Sequence, residues 1–129
     1  MEPRWLSKRG VVANHVKQIA LHGGPDGLRD EGLLESALAR PEHLFAYGEP
    51  DLADLAAAYA YGLARNHAFV DGNKRISFVA CVTFLLRNGA DLKASDEDKI
   101  QTWLALADGT LDEGALSAWI RSRLSPRTS

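Results

Sequence analysis

Nine consecutive residues concentrate side chains that can do chemistry. The stretch HAFVDGNKR, residues 67–75, holds a histidine, a carboxylate, a glycine, an amide and two cations, and the apolar run ISFVACVTFLL follows at once. That run predicts a helix beginning within the motif, where the first turn has unpaired N–H groups and the positive end of the helix dipole. An anion site suited to phosphate is therefore predicted at Gly72, Asn73, Lys74 and Arg75. A glycine turn flanked by solvated charges is the simpler alternative.

Asp71 and His67 extend this prediction from binding to catalysis. A carboxylate beside a phosphate is unfavourable unless a cation bridges the two, and Mg²⁺ commonly does so. The alternative is that Asp71 or Asn73 caps the helix. His67 is a candidate general base for an attacking hydroxyl, although a single histidine is more often structural. With Phe69 as a buried anchor for the loop, the set predicts a phosphoryl- or nucleotidyl-transfer site.

Other kinds of site find no support in the sequence. It contains no P-loop, no G-x-G-x-x-G and no G-x-S-x-G pattern, and its single Cys81 and scattered histidines give no zinc spacing. A net charge of -2 argues against a dedicated nucleic-acid binder, so no direct nucleic-acid partner is expected. Without a signal-peptide pattern, a disulfide or an apolar stretch long enough to cross a membrane, we expect a cytoplasmic protein with no membrane partner.

Capping residues and helix breakers predict an all-α fold, a compact bundle of about six helices in one domain spanning residues 1–129. The fourth helix is apolar nearly all round and is expected to be the central buried helix. Residues 41–51 are expected to form a loop, with a short hairpin as an open possibility, and the ends (about 1–6 and 125–129) are expected to be flexible. The predicted helices run from Ser7 to Gly23, Asp30 to Pro41, Asp51 to the motif, Asn73 to Asn88, Ser95 to Ala107 and Thr110 to Leu124.

The motif resembles the signature of the Fic/Doc family, His-x-Phe-x-(Asp/Glu/Ala)-(Gly/Ala)-Asn-(Gly/Lys)-Arg. Lysine before the final arginine resembles the Doc branch, the death-on-curing toxins of toxin–antitoxin modules. The segments GLRDEGLLESALARP, FAYGE and ARNHAF and the final helix also resemble Doc proteins in order and spacing. The resemblance thus covers nearly the whole chain and implies the Fic/Doc fold, an all-α bundle.

The resemblance also implies a role for each matched position. His67 would be the general base on the target hydroxyl, and Asp71 would hold Mg²⁺. Gly72 and Asn73 would contribute to an anion hole, Lys74 and Arg75 would bind the phosphates of ATP, and Phe69 would be structural.

Two departures from the usual Fic pattern bear on the chemistry. Most Fic enzymes carry glycine where this chain has Lys74, and a second arginine where it has Phe78. Resemblance to the Doc branch therefore implies a protein kinase that transfers the ATP γ-phosphate to a threonine or serine hydroxyl of elongation factor Tu and arrests translation. An AMP transferase and a non-catalytic binding module of the same fold are the alternatives. The resemblance further implies a cognate antitoxin whose C-terminal segment folds into a groove near the active site.

Overall fold

A computed structural model describes residues 2–127, which form six helices and two short strands. The predicted all-α bundle is confirmed. None of the helices in this range is long and apolar enough to span a membrane. The elements in chain order are α1 (Lys8–His22), α2 (Glu31–Tyr47), α3 (Leu52–Asn66), α4 (Asn73–Arg87), β1 (Ala90–Leu92), α5 (Asp96–Asp108), α6 (Glu113–Arg121) and β2 (Leu124–Pro126).

Side-chain caps start most of the helices at the predicted residues. Ser7, Asp30, Asp51 and Ser95 each accept a hydrogen bond from the backbone N–H three residues on, and Asp51 and Asp54 form a reciprocal capping box.

The predicted start of α6 at Thr110 is wrong, because Asp112 caps that helix by accepting from the N–H of Ala115. Short polar side chains at these positions satisfy N–H groups that a helix leaves unpaired.

Helix α2 continues beyond the point where it was predicted to stop. Pro41 lies inside it, and residues 42–47, expected as loop, are helical. Proline lacks an N–H and its ring crowds the carbonyl four residues earlier, but the ring of Pro41 is fully buried, so packing offsets these costs. Downstream, Phe45 meets the indole of Trp5 edge to face at 5.6 Å, which gives the last turns an apolar contact. The expected long loop shrinks to a few residues around Gly48.

The most enclosed element is α3, which corrects the expectation for α4. Ten of the 15 residues of α3 are buried, compared with six of the 15 residues of α4. Alanines dominate the buried face of α3, so neighbouring helices approach closely; a methyl group at Gly62 would lie 3.3 Å from Ala37 of α2. Burial raises the pKa of the Cys81 thiol to about 12, in keeping with its predicted place in the core.

Residues near both ends of the described range make specific contacts with the rest of the fold. The ring of Trp5 stacks 6.1 Å from that of Phe84, and the N–H of Leu6 donates to the Tyr59 hydroxyl. β2 pairs antiparallel with β1, with Leu124 opposite Leu92. Two strands of three residues are too short for alternation to reveal them in the sequence. Residues 1, 128 and 129 of the predicted flexible ends lie outside the described residues.

Candidate active site

The motif forms the α3–α4 connection, and an internal clamp gives it one shape. The side-chain amide of Asn73 accepts from the N–H of Phe69 at 3.1 Å and donates to its carbonyl oxygen at 3.0 Å. Neither Asp71 nor Asn73 caps α4; Gly72 occupies the cap position at φ 78°, and no side chain makes a capping bond. The first-turn N–H groups of α4 are therefore left for a ligand, as an anion site requires.

His67 lies at the opposite end of this loop, where α3 ends. Its backbone is left-handed, with φ 52°, and it is the one non-glycine residue with positive φ between residues 2 and 127. Arg29 holds this turn through hydrogen bonds from Nε and Nη2 to the His67 carbonyl oxygen, at 2.8 and 2.6 Å. The residue is exposed to solvent. An exposed imidazole on a fixed backbone is accessible to a protein hydroxyl, as a general base must be.

Phe69 sits in the buried position that an anchor requires. It is only 2% exposed, and its ring stacks on that of His15 with centroids 3.8 Å apart. Its backbone pairs with Leu28 in an isolated antiparallel bridge, and the N–H of Val70 donates to the Gly27 carbonyl at 3.0 Å. The segment between α1 and α2 therefore runs beside the motif and supports it.

Asp71 is exposed, and its two carboxylate oxygens have different neighbours. Its Oδ1 accepts from the N–H of Gly72 at 2.8 Å, while its Oδ2 lies so close to Gly24 that a Cβ there would be 2.6 Å away. No group of three or more acidic, histidine or cysteine side chains suited to a metal occurs in the part of the chain described. A single carboxylate is compatible with Mg²⁺ binding, because Mg²⁺ commonly takes its other ligands from substrate phosphates and water.

The two cations of the motif border a cleft between α1, α4 and α5. Lys74 is exposed, whereas Arg75 is half-buried with its guanidinium 3.5 Å from the Gln18 carbonyl and 3.3 Å from that of Gly23. The cleft has a volume of about 500 Å³, and it is lined by both apolar and positively charged side chains. Its lining residues are Gln18, His22, Lys74, Arg75, Phe78, Val79, Asp96, Lys99, Ile100 and Trp103.

Sequence reasoning placed all of the motif but missed residues that support it from α1 and the following segment. His15 of α1 and Gly24 of the segment after α1 both contact Asp71, although they lie far before it in the chain. His15 had a usable signal, because Val11, His15 and Ile19 form the buried stripe of α1 at four-residue spacing. Val16, which lies one position after His15, is off this stripe and is 48% exposed.

Comparison with known proteins shows the family of this chain. The model of the Fic/DOC family matches residues 5–85. A protein named Toxin Doc from Mycolicibacterium smegmatis is 49% identical over 83 residues, which cover 61% of this chain and 63% of that protein, slightly under two thirds of its length. The Protein kinase doc of Escherichia phage P1 is 36% identical over 95 residues, covering 73% of this chain and 75% of the phage protein. The chain thus belongs to the Fic/DOC family and, by its similarity to these two proteins, to the Doc toxin branch.

Proposed function

We propose that this protein is a Doc-type toxin that transfers the γ-phosphate of ATP to a threonine or serine hydroxyl of elongation factor Tu in the cytoplasm and so arrests translation. The observation that carries the proposal is the uncapped N-terminus of α4, bordered by exposed His67 and Asp71 and followed by Lys74. Similarity to a protein named as a toxin supports the toxin part of this proposal, and similarity to a protein named as a protein kinase supports phosphate transfer.

In the proposed reaction, His67 takes the proton of the substrate hydroxyl as the hydroxyl oxygen attacks the γ-phosphorus. The new oxygen–phosphorus bond forms while the bond from the γ-phosphorus to its bridging oxygen breaks. ADP leaves with that electron pair. The first-turn N–H groups of α4, together with Lys74 and Arg75, stabilise the charge on the transferring phosphoryl oxygens.

Asp71 would hold Mg²⁺ at this site, which when bound neutralises phosphate charge. The protein's own contribution is to fix the carboxylate, whose Oδ1 is tied to the N–H of Gly72. Arg75 is held near the carbonyl groups at the end of α1, so its guanidinium is already oriented before ATP arrives. Positioned charges of this kind lower the barrier to phosphoryl transfer.

The cognate antitoxin is proposed to bind in the cleft between α1, α4 and α5. Its apolar walls, formed in part by Phe78, Ile100 and Trp103, suit the apolar face of an amphipathic segment. Lys74 and Lys99 would pair with acidic side chains of that segment. Because Lys74 belongs to both the cleft and the motif, a peptide seated there would also cover the phosphate site.

Expression in bacteria without an antitoxin, followed by mass spectrometry of elongation factor Tu, tests the function. We expect growth arrest and a phosphorylated threonine or serine with the unchanged protein, and neither with His67→Ala or Asp71→Ala. His43→Ala, at an exposed position of α2, is the matched control and should remain toxic. Arrest that persists in His67→Ala, or an AMP adduct in place of phosphate, would contradict the proposal.

A further inference from the structure

A buried histidine of α1 lies beneath the catalytic loop. His15 is 1% exposed, and its Nε2 lies 2.7 Å from the carbonyl oxygen of Asp71, 56 residues away in the chain. Since a carbonyl oxygen can only accept, Nε2 carries the proton of this hydrogen bond. A buried imidazole held on the backbone of a candidate metal ligand differs from an ordinary apolar core residue.

The ring of His15 makes two further contacts with the motif. It stacks on Phe69 with an interplanar angle of 13° and a centroid distance of 3.8 Å. It also lies directly against Gly72, where an added Cβ would be 3.2 Å from Nε2. One side chain therefore contacts three of the six residues from position 67 to position 72.

The hydrogen bond sets the orientation of the peptide unit between Asp71 and Gly72. A trans peptide is planar, so its C=O and N–H point in opposite directions. With the Asp71 carbonyl turned inward onto His15, the Gly72 N–H is turned outward, where it now meets the Asp71 carboxylate at 2.8 Å. This peptide unit directly precedes α4, so its orientation also sets the direction in which the backbone enters the first turn of that helix.

We propose that His15 is a positioning residue for phosphoryl transfer, acting through the Asp71 carbonyl and the Phe69 ring. It fixes the direction of the Asp71 carboxylate and of the backbone donors at the start of α4. The inference rests on the proposed kinase function and adds to it a residue outside the motif. Outer contacts that orient metal ligands typically change metal affinity or activity by about 10- to 100-fold when removed.

Two substitutions separate the hydrogen bond from the stacking. His15→Phe keeps a flat ring against Phe69 but has no donor for the Asp71 carbonyl. His15→Gln loses the ring but keeps an N–H donor at the end of a side chain of similar reach. His43→Gln, at an exposed position of α2, is the matched control.

The first readout is steady-state phosphate transfer at varied ATP and varied Mg²⁺. In His15→Phe we expect kcat to fall, or the Mg²⁺ concentration for half-maximal rate to rise, by about 10- to 100-fold. The KM for ATP should change by much less. His15→Gln should recover most of the loss, and His43→Gln should match the unchanged protein. The proposal would be overturned if His15→Phe and His15→Gln lost the same amount of transfer activity and that loss followed the fall in their melting temperatures.

The second readout is amide hydrogen exchange of residues 71–75 in the ligand-free protein, which needs no activity. We expect faster exchange in His15→Phe at these residues than in the His43→Gln control, with the core of α3 unchanged. Unchanged exchange at residues 71–75 would refute the positioning role even if the unchanged protein is an active kinase. If the unchanged protein transfers no phosphate, the proposed function fails, and the exchange result still decides whether His15 orders the loop.

Discussion

Two histidines of this chain have opposite surroundings and correspondingly different proposed roles. His67 is exposed on a left-handed turn, where its imidazole is accessible to a substrate hydroxyl. His15 is buried, stacked on Phe69 and bonded to the Asp71 carbonyl, so it is shielded from substrate and acts only on the loop. Residue type alone does not separate these roles, because exposure and partners come from the fold.

Gly24 tests how closely Asp71 is held. Replacing Gly24 by alanine places a Cβ 2.6 Å from Oδ2 of Asp71, so the carboxylate must move. We expect Gly24→Ala to raise the Mg²⁺ concentration needed for half-maximal phosphate transfer by about 10-fold or more, in the range for displaced metal ligation. The assay is a Mg²⁺ titration of the transfer rate.

Gly23→Ala is the matched control for that substitution. Gly23 also has a positive φ, 79°, so alanine there carries similar backbone strain, but its Cβ would meet nothing within 4 Å. Both variants should lose comparable stability, and only Gly24→Ala should change the Mg²⁺ requirement. An equal change in both would show that strain in the segment, and not contact with Asp71, is responsible.

Lys74 is the residue at which the proposed reaction departs from AMP transfer. Its long, charged side chain replaces the glycine of most Fic proteins and borders the cleft. Lys74→Gly should reduce transfer of the γ-phosphate and raise transfer of AMP, measured as the ratio of the two adducts on the target by mass spectrometry. Lys74→Ala removes the charge with less extra backbone freedom and is the companion variant. An unchanged adduct ratio in Lys74→Gly would contradict this role.

At the scale of elements, a buried polar relay joins α3, α4 and α5 behind the cleft. The Ser77 hydroxyl donates to the Ala60 carbonyl at 2.6 Å and accepts from the indole N–H of Trp103 at 3.0 Å. Both side chains are buried, and Trp103 lines the cleft. The relay thus fixes one wall of the cleft to α4, the helix at whose N-terminus the phosphate site is proposed.

Ser77→Ala should destabilise the protein, because it leaves the buried indole N–H of Trp103 without its partner. An unsatisfied buried donor costs about 1–3 kcal/mol, measurable by denaturant unfolding followed by tryptophan fluorescence. Ser122→Ala, whose hydroxyl is exposed, should change stability by no more than about 0.5 kcal/mol. Equal effects of the two substitutions would count against the relay.

The elements also show which features the sequence made predictable. Caps at Ser7, Asp30, Asp51 and Ser95 were predicted because N-capping is local: a side chain bonds a backbone group three residues away. The continuation of α2 through Pro41 could not be predicted, because the burial of the Pro41 ring depends on residues distant in the sequence. His15 was missed for the same reason, since its partners lie on the far side of two helices in the chain.

At the scale of the whole molecule, the ends of α3 and α6 are joined by an ion pair that makes stability depend on pH. Nε of Arg121 donates to Asp51 at 2.6 Å, and this hydrogen bond is the main reason that the pKa of Asp51 is lowered from 3.8 to about 2. A lowered pKa means that the contribution of Asp51 to stability is present above pH 3.8 and is lost as the pH falls towards 2.

Asp51→Ala should lower the free energy of unfolding by about 1 kcal/mol at pH 7, which is the usual effect of removing a helix N-cap. The difference between this variant and the unchanged protein should narrow as the pH falls below about 4, as measured by urea unfolding at a series of pH values. Asp51→Asn keeps a capping oxygen without the charge and should lose less at pH 7. A difference that stays constant down to pH 3 would rule out this ionic contribution.

A kinase and an AMP transferase differ in which phosphorus atom of ATP reaches the target, and one measurement separates them. The purified protein is incubated with Mg²⁺, elongation factor Tu and ATP labelled at either the α or the γ phosphorus, with His67→Ala as the blank. We predict that only the γ label becomes attached to elongation factor Tu and that His67→Ala attaches none. Attachment of the α label, or equal γ labelling by His67→Ala, would contradict the account.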